Sequence, residues 1–78
     1  MKELLQFLIA KITGSEDFSI DEKAEDGNID FEVRANPSII GLIIGKEGKT
    51  VKNIRKIVSV RAVLEKKSVR ISVSEATS

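Results

Sequence analysis

Residues 39–54, which are IIGLIIGKEGKTVKNI, decide the fold of this chain. An aliphatic run is followed by the turn GKEG at residues 45–48 and then by a basic amphipathic segment. The two glycines of the turn allow a sharp reversal and a close approach of the backbone to a ligand. A helix that starts after them offers unpaired N–H groups and a positive dipole end. The stretch predicts a backbone clamp for phosphates; the open alternative is a simple turn between two packed helices.

Hydrophobic periodicity outside this stretch predicts the other elements. Apolar residues with helical spacing indicate helices, and alternating apolar and polar residues indicate strands. Asp26-Gly27 has the chemistry of a tight hairpin turn, and Asn36-Pro37 that of a helix start. The α+β order is therefore αββααβ: a helix at 2–12, strands at 18–24 and 28–35, helices at 37–44 and 48–65, a strand at 68–74 and a polar tail at 75–78.

The charges are divided unevenly along the chain. Residues 1–44 carry four basic and nine acidic side chains, a net charge of −5, whereas residues 45–78 carry nine basic and three acidic ones, a net charge of +6. The total of +1 hides this asymmetry. Because the potential at a site depends on nearby charges more than on the sum, the second half can attract a polyanion.

Composition excludes several classes of site. The chain has no cysteine and no histidine, which excludes disulfides and any metal site or catalysis that needs a thiolate or an imidazole. The longest uncharged segment, residues 35–45, is too short and too interrupted to cross a bilayer, and the start does not resemble a signal peptide. We expect a single domain that needs no cofactor, no metal and no membrane, and the missing cysteines permit a cytoplasmic location.

An enzyme is the main rival interpretation of the glycine turn. The ending Gly48-Lys49-Thr50 is similar to the end of a nucleotide-binding P-loop, but the first glycine of that motif would fall at Ile43. A P-loop also follows a buried strand, whereas helical spacing and Pro37 precede this turn. The carboxylates show no paired acid and base arrangement, so we predict no catalytic residues.

The whole chain resembles one family. Residues 39–54 resemble the helix, GxxG loop and helix of a KH domain, and the order αββααβ resembles the type II form. Because the resemblance covers essentially all of the sequence, the chain is most similar to small bacterial RNA-binding proteins of the KhpA type, which have a single KH domain. The resemblance implies a three-stranded mixed sheet covered on one face by three helices.

It also implies a binding site. KH domains hold about four nucleotides of a single strand, and the GxxG loop clamps the backbone. Lysines on a helix are often only a solvated surface and isoleucines are often core, so these alternatives stay open for individual members. With no Trp or Tyr, and with the three Phe residues in core-like patterns, the groove should be aliphatic. The implied residues are Gly45, Lys46, Glu47 and Gly48 in the clamp, Lys49 and Lys52 beside it, and Ile40, Ile43 and Ile44 in the groove floor.

The helix at 48–65 has more apolar surface than one buried face requires. Ile57, Val60 and Leu64 form a second stripe, which either packs under the N-terminal helix or forms an interface. The resemblance implies a homodimer, or a heterodimer with another KH-domain protein.

The expected function is binding of single-stranded RNA with low sequence specificity, as an RNA chaperone or post-transcriptional regulator. Specificity should be low because few side chains near the groove can bond to base edges; Ser38, Arg55 and Arg70 are the unplaced candidates. The alternative is a KH-fold assembly module with little or no RNA binding.

Overall fold

A computed structural model describes residues 1–76 of the chain. Its elements follow the predicted order αββααβ, and most boundaries agree within one residue. Of the predicted polar tail, Glu75 ends the last strand, while residues 77 and 78 lie outside the described part. The elements are α1 Lys2–Thr13, β1 Phe18–Glu25, β2 Asn28–Ala35, α2 Pro37–Ile44, a 3-10 turn Lys46–Gly48, α3 Lys49–Leu64 and β3 Ser68–Glu75.

The sheet is mixed and has the strand order β1-β2-β3. β1 and β2 are antiparallel and are joined at Asp26-Gly27, where both residues have the positive φ that a tight hairpin turn needs. β3 runs parallel to β2, with Ile71 beside Phe31. Parallel neighbours need a long crossover, and here the crossover consists of α2, the 3-10 turn and α3. β3 is consequently an edge strand of the sheet.

The core lies between the helices and one face of the sheet. Alternate residues of β2 are buried and those between them are half-buried or exposed, so one face of the sheet is covered. All of the buried side chains are apolar in the described part of the chain. The cluster consists of Leu5 and Ile9 of α1, Ile43 of α2, Ile54 and Val58 of α3, and Ile20, Ile29, Phe31, Val33 and Ile71 of the sheet.

The start of α2 follows the predicted chemistry. Asn36 caps the helix, because its Oδ1 accepts a hydrogen bond from the Ile39 N–H at 3.0 Å, and Pro37 is the first helical residue. This cap fixes the direction in which the chain leaves β2. It therefore also fixes the position of the glycine turn, which follows the end of α2.

The first helix differs from expectation in two residues. Phe7 is 57% exposed, so its assignment to a core-like pattern was wrong, and Ile12 is also exposed. The reason is that α1 buries Leu5 and Ile9 and packs Leu4 and Leu8 beside them, an arc of the helix that leaves Phe7 and Ile12 outside. At 100° per residue, Phe7 lies about 160° around the helix from Leu5. Its ring instead faces the Lys11 side chain, whose Nζ lies 5.6 Å from the ring centroid.

No helix within residues 1–76 combines the length and the apolar composition that crossing a membrane requires.

Candidate nucleic-acid interface

The glycine turn is held by backbone conformations that side chains resist. Gly45 has φ 73° and ψ −179°, a region that essentially only glycine occupies, and its N–H donates to the Gly41 carbonyl at 2.9 Å. Gly48 has φ 76° and ψ 12°, which is left-handed. Between them, Glu47 is left-handed as well, with φ 57°. The chain thus reverses within four residues and starts α3 at Lys49.

The Thr50 side chain packs against this turn at Gly45. A Cβ added to Gly45 would lie 2.6 Å from the Thr50 Cβ and closer still to its hydroxyl oxygen, so the backbone at Gly45 packs directly on this side chain. Sequence reasoning missed that role. Thr50 ends the sequence Gly48-Lys49-Thr50, which was considered only for its similarity to a nucleotide-binding motif.

Two consecutive main-chain donors are free in the turn. Gly48 N–H donates to the Gly45 carbonyl at 3.3 Å, and Lys49 N–H donates to the Lys46 carbonyl. Within residues 1–76 no acceptor pairs with the N–H groups of Lys46 and Glu47. Both residues are exposed, so water or an anion can reach these donors.

Lysines surround the free donors. Lys46, Lys49 and Lys52 are exposed, and none has a carboxylate partner within 4 Å in the described part of the chain. Their charges therefore add to the positive end of α3, and the Glu47 carboxylate in the turn opposes them. Glu47 is exposed too, so its carboxylate can stay in water, where its repulsion of an anion is weakened by screening.

The three candidate groove isoleucines have different environments. Ile43 is 1% exposed and belongs to the core cluster, so it is not available for a groove floor. Ile44 is 39% exposed and Ile40 is half-buried. Successive residues of a helix point about 100° apart, so with Ile43 directed into the core its neighbour Ile44 lies toward the edge of that face. Of the three candidates, Ile40 and Ile44 can offer apolar surface beside the turn.

A cavity of about 410 Å³ lies between α3 and the edge strand β3. Two of its lining residues are joined by a hydrogen bond: the Arg55 Nη2 donates to the Ile71 carbonyl at 3.4 Å. Of the three unplaced base-edge candidates, Arg55 and Arg70 line the cavity and Ser38 does not. Sequence reasoning missed the two serines of the lining, because they become neighbours only when β3 docks beside α3. The lining residues are Arg55, Ser59, Val69, Arg70, Ile71 and Ser72.

The cavity and the glycine turn lie along one side of α3. Lys52, Arg55 and Ser59 are three and four residues apart, a spacing that places them on the same flank of a helix. Lys52 is near the turn, whereas Arg55 and Ser59 line the cavity. The first turn of α3 and the cavity lining thus share one flank of the helix, and we call the glycine turn, Lys49, Lys52 and the cavity together the α3 groove.

The second stripe of α3 is exposed. Val60 is 63% exposed and Leu64 is 76% exposed, and Ile57 and Val63 are exposed beside them. Within a single chain these four residues, which we call the α3 apolar surface, are not covered by α1. The alternative that the stripe packs under the N-terminal helix is therefore wrong.

Three carboxylates, those of Asp21, Glu32 and Glu65, lie in ion pairs away from the turn. A hydrogen bond from Arg61, at 2.9 Å, lowers the pKa of Glu65, and one from Arg34, at 2.8 Å, lowers the pKa of Glu32. Within the described residues no group of histidine, cysteine or carboxylate side chains is arranged to hold a metal ion.

Comparison with solved structures shows a similar fold in a known protein. A crystal structure of a variant of Aquifex aeolicus Era, bound to GDP and AlF4⁻, superposes with a TM-score of 0.65 and 17% sequence identity. The match covers 94% of this chain and 29% of that one. At this identity the similarity concerns the fold alone.

Sequence comparison is more specific. The family described as KhpA/KhpB, KH domain, matches residues 2–73. RNA-binding protein KhpA of Clostridium perfringens is 31% identical over 74 residues, covering 94% of this chain and 99% of the relative. RNA-binding protein KhpA of Halalkalibacterium halodurans is 28% identical over 74 residues, covering 94% of this chain and 97% of the relative. With an αββααβ fold and a GxxG turn between α2 and α3, this chain belongs to the KhpA/KhpB family of KH domains.

Proposed function

We propose that this protein binds single-stranded RNA with low sequence specificity through the glycine turn and the α3 groove. The observation that carries the proposal is the pair of free N–H groups at Lys46 and Glu47, which lie among exposed lysines that have no carboxylate partner within residues 1–76. The similar proteins of two other bacteria are named RNA-binding proteins, which supports the choice of ligand.

The mechanism is electrostatic and largely independent of sequence. The free N–H groups donate to phosphate oxygens, and the positive end of α3 with Lys49 and Lys52 stabilises the same charges. The exposed parts of Ile40 and Ile44 contact sugars and bases beside the turn. Because backbone contacts carry no sequence information, most positions of the bound strand are not selected.

No catalytic step is part of this proposal. The chain acts as one domain in the cytoplasm, and holding an RNA strand without cleaving it suits an RNA chaperone or a post-transcriptional regulator. Binding that relies on one short groove is limited in affinity, and pairing of two domains raises the effective concentration of the second site.

We further propose that the α3 apolar surface pairs with a second copy of the chain or with another KH-domain protein. The exposed side chains of Ile57, Val60, Val63 and Leu64 cluster at the end of α3 that is farther from the glycine turn. Pairing through this end leaves both turns accessible. The same surface is the observation that favours the second candidate function, a KH-fold assembly module with little RNA binding.

A charge reversal in the turn tests RNA binding. The variant Lys46→Asp/Glu47→Asp exchanges the Lys46 ammonium for a carboxylate, beside the carboxylate already present at position 47, and leaves the core intact. Binding of a short single-stranded RNA should therefore be lost while the melting curve is retained. A matched control is Glu22→Asp/Lys23→Asp on β1, the opposite edge of the sheet from the groove, which changes the net charge equally. We expect this control to bind as the unsubstituted protein does.

The salt dependence of binding adds a second measurement. Contacts to two or three phosphates predict a slope of log K against log salt of roughly −1.4 to −2 for a single strand. Unchanged RNA binding by the turn variant, or a slope near zero, would contradict the proposal and favour the assembly module.

A further inference from the structure

The four arginines of the chain fall into two classes. Arg34 is paired with Asp21 and Glu32, and Arg61 is paired with Glu65. Within residues 1–76, Arg55 and Arg70 have no carboxylate within 4 Å, and both line the cavity between α3 and β3. Arg55 therefore lies at a cavity whose lining has no carboxylate, whereas Arg70 also lines the open face of the sheet together with Asp30 and Glu32.

Arg55 contacts the edge strand there. Its Nη2 donates to the Ile71 carbonyl of the edge strand at 3.4 Å. A guanidinium has five N–H donors in a fixed plane, so one bond to the strand orients the group and leaves most of its donors for a ligand. Arg70 has no such backbone bond among the described residues and supplies positive charge on the same cavity.

We propose that Arg55 selects one base of the bound strand, namely a base that presents two adjacent hydrogen-bond acceptors. This inference rests on the proposed RNA binding and adds a selected position to an otherwise unselective groove. A guanidinium reads such an edge through two parallel N–H bonds. Guanine presents O6 and N7, and cytosine presents N3 and O2. Adenine and uracil alternate donors with acceptors along their edges and cannot accept both bonds.

The surroundings of Arg55 have room for a base. The cavity is open to solvent and has a volume of about 410 Å³. Val69 and Ile71 give apolar surface, and the hydroxyls of Ser59 and Ser72 can donate or accept. The cavity contains no acidic side chain among its lining residues that would compete for the guanidinium.

Oligonucleotides with one substituted position test the inference. Affinities are measured for a seven-residue oligouridine and for the series in which guanosine, cytidine or adenosine replaces uridine at each position in turn. A good two-bond contact is worth roughly a fivefold to hundredfold difference in affinity. Because the strand can shift its register in an unselective groove, we expect such a gain for guanosine or cytidine at one or more positions and none for adenosine, and the two arms show which base is preferred.

The variant Arg55→Lys assigns the preference to this side chain. It keeps the charge and loses the planar donors, so the preference should disappear while the salt dependence stays the same. Arg61→Lys is the control, because Arg61 lies on the same helix outside the cavity lining, and it should keep the preference.

Equal affinity for all oligonucleotides, or a preference that survives Arg55→Lys, would overturn the inference but leave the proposed function intact. Absence of binding to every oligonucleotide would overturn both. The series on the unsubstituted protein remains decisive even if the Arg55→Lys variant does not fold.

Discussion

The Gly45 backbone packs so closely on the Thr50 side chain that position 45 has no room for a side chain of its own. A Cβ at Gly45 would lie 2.6 Å from the Thr50 Cβ. At Gly48 the corresponding position is open, with no atom within 4 Å. The two glycines of the turn therefore serve different purposes. Gly45 combines a glycine-only conformation with a close contact, whereas Gly48 has only a left-handed backbone.

Asparagine substitutions should separate these two roles. Asparagine adopts the left-handed conformation more readily than most residues, so Gly48→Asn should change the free energy of unfolding by less than about 1 kcal/mol. Gly45→Asn adds backbone strain and overpacking, each of roughly 1–3 kcal/mol, and should cost more than about 2 kcal/mol. Urea denaturation measures both. Equal losses would show that Thr50 does not constrain the turn.

Ile43 and Ile44 are adjacent in sequence and should differ in effect. Ile43→Ala empties a core position and should lower the free energy of unfolding by about 2–5 kcal/mol. Ile44→Ala removes a partly exposed side chain, so it should cost less than about 2 kcal/mol and weaken RNA binding. Denaturation and RNA titration of the same samples test this. A greater loss of stability in Ile44→Ala would contradict the placement of the two side chains.

Val60→Asp should abolish self-association while leaving the fold intact. Val60 is exposed in the single chain, so a charge there costs little until another molecule covers it, when it becomes an unpaired buried charge. Sedimentation equilibrium over a range of concentrations measures the effect. Phe7→Asp on α1 is the control, since it also places a charge on an exposed apolar residue and should leave association unchanged. Two results together would rule out this interface. The protein would be monomeric at high concentration, and Val60→Asp would leave its binding to KH-domain partners unchanged.

The Arg61–Glu65 ion pair should make a small, pH-dependent contribution to stability. The bond from Arg61 lowers the pKa of Glu65 in the folded chain below its usual 4.5. The contribution is therefore complete at pH values above 4.5 and is lost as the pH falls through the lower, folded-state pKa. Melting temperatures of the protein and of Glu65→Gln should differ most near neutrality and converge in acid. A difference that grows on acidification would contradict the sign of the shift.

The order of elements could be predicted from the sequence because its signals are local. The Asp26-Gly27 hairpin, the Asn36 cap and the alternation in β2 each act within a few residues, and the structure has them where expected. The parallel pairing of β2 and β3 is a relation between distant segments. It was expected only from the family resemblance.

Exposure was harder to predict than secondary structure. Nearly all of α2 is apolar, so its periodicity cannot show that Ile43 is core and Ile44 is partly exposed. Phe7 was misplaced because the apolar residues of α1 cover a wider arc than the core contacts. The cavity site of Arg55 depends on β3 docking beside α3, which no local pattern encodes.

One wall of the α3 groove is formed by α3, and the other is formed by β3, the strand that follows the crossover. β3 pairs with β2 only after α2 and α3 have been traversed, so a partly unfolded chain has no groove to offer. Any ligand held there binds the native state alone and raises the melting temperature in proportion to the logarithm of its concentration once it is in excess. Thermal denaturation can therefore serve as a label-free assay for ligands of this protein.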